Sequence, residues 1–143
     1  MKRFTKMLAA SAGLALVAGL AAVPAFAEGS RGPGDFWNAR TGFSSGSWRD
    51  YQNDSNNTNV KLSSCSLTNG DTLTSVQVGL WDEHGALPDA QVGAYKNLGK
   101  CGTASWTHTS SSYTLRNSTF HWALGNINGS NRGYLVGTAY VTF

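Results

Sequence analysis

Beyond its first 27 residues the chain has little of what helices are made from. The 116 residues from Glu28 to Phe143 contain no methionine, two glutamates, three lysines and three glutamines. Ser, Thr and Asn supply 38 of those 116, and their side chains bond to nearby backbone in competition with helical hydrogen bonds. A helical bundle is excluded on that ground. Charge is sparse as well: 13% of the chain is Asp, Glu, Lys or Arg, which does not suit a charged, disordered coil. After Val23 no stretch is long and apolar enough to cross a bilayer. Cys-x-x-Cys spacing is missing, and with it the usual zinc and redox signatures. Phosphate-cradling glycine loops are missing too.

What charge there is sits unevenly. The net +3 invites a nucleic-acid reading, but Lys2, Arg3 and Lys6 account for all of it. The remainder balances eight basic against eight acidic side chains, without the basic, aromatic-laced face that nucleic acid needs. Met1–Lys6 is instead the positive start of an export signal, Met7–Val23 its apolar run, and Pro24-Ala25-Phe26-Ala27 its small-residue cleavage site. Cleavage after Ala27 is expected to release a secreted, extracellular chain with no membrane attachment. The Ala-rich leader reads as bacterial. In that compartment Cys65 and Cys101 are expected to form one disulfide. The 37-residue loop it closes is worth about 4 kcal/mol in the chain-entropy model.

Alternation with a period of two marks strands. Thr74, Val76, Val78 and Leu80 alternate with Ser75, Gln77 and Gly79; Phe120, Trp122 and Leu124 alternate with His121 and Ala123. Gly133–Phe143 is apolar on both faces, as in a central strand buried on both sides. Val60–Leu67, Val92–Leu98, Ala104–Thr109 and Tyr113–Asn117 are weaker strands. Asn69-Gly70-Asp71 and Asn128-Gly129-Ser130 are turns, the second expected to join the last two strands as a hairpin. The sum is an all-β chain: a single small antiparallel β-sandwich of seven or eight strands over residues 43–143, a small barrel being the alternative. Residues 28–42, EGSRGPGDFWNARTG, show no alternation and read as a flexible or extended arm carrying two aromatics, Phe36 and Trp37.

Chemistry-bearing patterns are few. Gly42–Gly46 matches G-x-S-x-G around Ser44, but the strand-turn-helix setting that makes such a serine nucleophilic is absent. His108 and His121 fall in strand patterns as sheet-surface residues. His84 lies in the charged stretch Asp82–Asp89, whose spacing fits no established metal-ligand pattern. No acid sits on a confident strand facing the core, so paired carboxylates for glycoside hydrolysis are not expected. The asparagine-rich stretch Asn53–Asn59 lacks the calcium-loop spacing. Sequons start at Asn53, Asn56, Asn117 and Asn128 and imply surface loops in a glycosylating host.

Aromatics are what remain. Trp48, Arg49 and Tyr51 sit together in a polar setting, and exposed Trp, Tyr and Arg are the usual anchors of interfaces. With Phe36 and Trp37 they form the candidate binding set. The expected function is a non-catalytic, cofactor-free secreted binding or adaptor module that contacts another secreted or surface protein. A carbohydrate or cell-wall module using the same aromatics is one alternative. A small protease inhibitor presenting Arg31 or Arg40 is another.

This layout of signal peptide, N-terminal arm and compact β domain with few cysteines resembles that of the small secreted adaptor subunits of bacterial umbrella toxin particles. The resemblance covers the mature chain and rests on layout alone. It implies an adaptor linking a lectin-bearing protein to a large toxin-bearing spoke protein. Glu28–Gly42 would then be the docking arm, with Phe36 and Trp37 as its anchors.

Overall fold

A computed structural model describes residues 29–51, 56–107, 118–131 and 133–143. The expected leader and its cleavage site lie outside these residues, as do His108 and the strand expected over Tyr113–Asn117. In chain order the strands are β1 (Ser30–Ala39), β2 (Trp48–Asp50), β3 (Thr58–Leu67), β4 (Val76–Glu83), β5 (Ala90–Gln91), β6 (Lys96–Asn97), β7 (Gly102–Trp106), β8 (Ser118–Ile127) and β9 (Leu135–Thr142). No helix occurs among the described residues.

All pairings are antiparallel. One sheet has the order β1-β9-β3-β7. The other places β8 and β4 at its centre, with β2 on the β8 edge and β5 and β6 both on the β4 edge. The sheets pack face to face as a sandwich over one core, in which Val60, Leu62, Leu80, Phe120, Leu124, Ile127 and Leu135 are essentially inaccessible to solvent. Cys65 and Cys101 are joined, tying β3 to the entry of its edge neighbour β7.

Bulges explain why alternation fades in some strands. In β8, Phe120, Trp122 and Leu124 face inward at even positions, yet Ile127 is buried at an odd one. The β4–β8 register slips by one residue between Val76↔Ile127 and Val78↔Leu124, and that extra residue reverses the faces. β3 does the same. Thr58, Val60 and Leu62 are buried, then Leu67, with the slip between Ser63 and Ser66 where Ser64 takes a left-handed φ of 53°.

The segment expected to be a flexible arm is extended but not free: Ser30–Ala39 is an edge strand paired along β9. Its missing alternation has the same cause, because register slips fall between Arg31 and Gly34 and between Phe36 and Ala39. The first slip holds Pro33, which has no N–H to offer, and these irregularities make the strand a poor template for edge-to-edge pairing.

The last two strands are not a hairpin. β8 and β9 belong to different sheets. The expected turn does form: Asn128 and Gly129 have φ of 51° and 69°, and Ile127 and Ser130 exchange backbone hydrogen bonds of 2.8 and 3.0 Å. The ladder stops there, and the chain crosses the sandwich to start β9. Asn128 turns its side chain to another task. Its Oδ1 accepts from the Thr74 N–H, the Thr74 hydroxyl and the Ser75 N–H at 2.7–3.1 Å, and its Nδ2 donates to the Thr72 carbonyl at 2.9 Å. One asparagine therefore fixes the entry of β4 against the exit of β8. As expected, β9 is central in its sheet, but only one of its faces is fully buried: Val136, Thr138 and Tyr140 are half-buried on the outside.

Candidate functional site

The two lateral sides of the sandwich differ. On one side β1 lies over the irregular segment 42–47 and β2. That segment runs along β8 by hydrogen bonds from Gly42 N–H to the Leu124 carbonyl (2.8 Å), from Leu124 N–H to Phe43 (2.9 Å) and from Ser45 N–H to Trp122 (2.9 Å). It brings Phe43 under β1, where Phe36, Phe43 and Trp122 form a ring cluster with centroids 5.5–6.1 Å apart. Trp48 stacks on Phe143 at 5.8 Å nearby.

The inward row of β1 follows from its pairing. Arg31 lies opposite buried Val141, Gly34 opposite buried Ala139, and Phe36 opposite Gly137, where only a glycine leaves room for the Phe36 ring. Gly34 has no side chain, and nothing lies within 4 Å of where its Cβ would be. The wall is therefore missing there. What remains is an open groove of about 380 Å³ between the sheets, with Phe36, Phe43, Trp48 and Trp122 among its lining residues. That volume is within the usual range of ligand sites. At one end Arg31 reaches across from β1, donates to the Ser47 carbonyl and lies over Gly46.

The five candidate binding residues separate into two groups. Phe36 and Trp48 are each 6% exposed and belong to the core while also lining the groove. Neither is the protruding anchor the sequence suggested, because both lie on inward positions of edge strands. Trp37, in a register slip of β1, is 75% exposed, and Tyr51, just past β2, is 59% exposed with the Arg49 guanidinium 5.8 Å from its ring centre. Arg49 also reaches the Thr119 hydroxyl at 3.5 Å. Arg31 and Arg40, considered above as an inhibitor's reactive residues, are both exposed, Arg31 with its guanidinium bonded to the Ser47 carbonyl and Arg40 at the turn that follows β1.

A second constellation lies on the outer face of the β4–β8 sheet. Trp81 and His121 are cross-strand partners with parallel rings, 6.4 Å between centres. Glu83 takes the His121 Nδ1 at 3.0 Å and also accepts the Ser47 hydroxyl; Asp89 is 4.0 Å away. The serine is bonded to the carboxylate rather than to the imidazole, which is the wrong order for a nucleophilic triad. Ser44 donates to the Ser45 carbonyl, in the irregular segment between β1 and β2, with no helix after it. The stretch from Asp82 is divided by the strand end: Asp82 is buried, Glu83 faces outward and His84 is exposed, 3.3 Å from Asp82. No group of three or more His, Cys, Asp or Glu arranged to hold a metal is found among the described residues.

The expectation that no acid faces the core from a strand is corrected. Asp50 on β2 and Asp82 on β4 are both buried, opposite Ser118 and Phe120 of the intervening β8. Asp82 accepts the Ser118 hydroxyl. Both acids are shielded from solvent. Their flanks are polar, Arg49 in one case and Glu83-His84 in the other, so neither stretch announces an inward carboxylate.

Compared with protein-family models, with curated proteins and with solved structures, the chain matches none.

Proposed function

We propose that the chain is a secreted, non-catalytic binding module that docks another exported protein on the β1 side of its sandwich. The observation that carries this reading is Trp37. A tryptophan left 75% exposed on an edge strand, beside a groove walled by aromatic rings, is what a protein interface uses as an anchor. The disulfide suits an oxidising, extracellular setting, and the export signal read from residues 1–27 supplies the route. The adaptor reading, with a segment near the N-terminus making the contact, is kept in altered form: contact is made by a docked strand rather than a free arm.

Deleting residues 28–42 would remove an edge strand and the buried Phe36 and Ala39, so a point variant is the better test. Tagged wild-type chain and Trp37→Ala are used to capture proteins from culture supernatant. A protein retained by the wild type and lost with Trp37→Ala is expected, while identical capture by both overturns the role of this face. Exposed Tyr51 beside Arg49 favours a glycan as the second reading. Glycan-array binding that is lost with Tyr51→Ala and kept with Trp37→Ala would promote it.

A further inference from the structure

We propose that the groove beneath Gly34 takes an aromatic side chain of the partner, together with an adjoining carboxylate bound by Arg31. This inference rests on the protein-binding reading above and names the chemistry of what is bound.

Shape is the first argument. The groove exists because one inward position of β1 is glycine while its neighbours on that row are Arg31 and Phe36. Its walls are ring surfaces. Phe36 meets Trp122 edge to face at 68°, and Phe43 meets Trp122 tilted at 49°. A further ring can extend such a cluster with favourable edge-to-face contacts, beyond the area it buries.

Charge is the second argument. Arg31 stands at one end of this apolar groove and, among the described residues, no carboxylate lies within ion-pair distance of it. Its one hydrogen bond, to the Ser47 carbonyl, holds the guanidinium over Gly46 and leaves further N–H groups for an anion. The other charge on the rim, Asp35, faces the opposite side of β1, where it accepts from the Thr138 hydroxyl at 2.9 Å. The groove thus offers aromatic walls and one unmatched cation.

Openness is the third argument. Five consecutive residues, Arg31 to Asp35, line the groove, which stays open along the side of the sandwich. Small molecules are usually held in enclosed sites that bury most of their surface. A groove running along a strand suits a side chain still attached to its own extended chain, in line with Trp37 farther along β1.

The probe is 3-phenylpropionate, titrated into the mature chain while the tryptophan indole N–H resonances are followed by NMR. Saturable shifts confined to Trp48 and Trp122 are expected. Affinity should fall about tenfold for 3-phenylpropanol, which lacks the charge, and by a similar factor in Arg31→Gln. Gly34→Leu should abolish the shifts by filling the groove, with the fold kept, as the remaining indole resonances report. No saturable shift in the wild type, shifts centred on Trp37, Trp81 or Trp106, or equal affinity in Arg31→Gln would each overturn the proposal. So would shifts of Trp48 and Trp122 that grow with protein concentration alone, which would make a second copy the occupant. If the titration fails while capture still depends on Trp37, the groove assignment falls and the binding reading stands. If capture fails while the titration succeeds, the reverse holds.

Discussion

The sandwich has one lateral side that is closed and one that is open. On the closed side β7 lies beside β3, with Ala104 and Trp106 buried, and the Cys65–Cys101 bond ties the two strands covalently. Val92 and Leu98, in the chain beside β5 and β6, fill from the opposite sheet. On the open side β1 lies beside β9 with no covalent tie, and its inward row is broken by Gly34. Both edges are built on the same architecture. The difference comes from a handful of side chains: Ala104 and Trp106 face inward on the closed side, whereas Gly34 puts no side chain into the inward row of the open one.

Breaking the closed side should have the largest effect. Reduction, or Cys65→Ser with Cys101→Ser, removes a cross-link worth about 4 kcal/mol and should lower Tm by roughly 10–20 °C. Scanning calorimetry with and without reductant measures it. An unchanged Tm would mean that the two sides differ in packing alone. A smaller loss is expected at the crossing between the sheets. Asn128→Ala deletes four hydrogen bonds and leaves a non-glycine residue at positive φ, which should cost about 2 kcal/mol in urea unfolding. Least of all should happen on filling the open side. Gly34→Leu meets no neighbour and needs no left-handed backbone, so stability should change by less than about 0.5 kcal/mol. A large loss there would show that the groove is a collapsed seam rather than free space.

The chain changes sheets at most of its connections, so most of its strand pairs join distant parts of the sequence. Folding in milliseconds to seconds, rather than microseconds, is the expected kinetic consequence, to be read by stopped-flow fluorescence.

How much of this could be read in the sequence follows from the physics of the strand period. Alternation at Val76–Leu80 and Phe120–Leu124 located the central strands of one sheet, although Thr74, read as part of the first, is exposed ahead of it. The Cys65–Cys101 pairing followed from having only two cysteines, behind a segment that reads as an export signal. Where a bulge interrupts the period, at Ser64 and at two places in β1, the pattern blurred, and β1 was read as an arm. The Asn128-Gly129 turn showed its local conformation but not that the next strand would leave for the other sheet, since a turn type does not specify what lies beyond it. The groove was legible only in part. Its aromatic walls include Phe36 and Trp48, but inward and outward positions on an edge strand cannot be separated without the register. The consequence of Gly34 needed its partner across the ladder, Ala139, to be known.

The central claim is that the partner meets the open side. The most direct measurement places a photoreactive benzoylphenylalanine at Pro33, exposed in the lining of the groove, or at Thr103, exposed on β7, and irradiates each variant in culture supernatant. The account predicts a covalent adduct with one exported protein from position 33, lost when Gly34→Leu is added, and none from position 103. Adducts from position 103 alone, or adducts from position 33 that persist in Gly34→Leu, would contradict it.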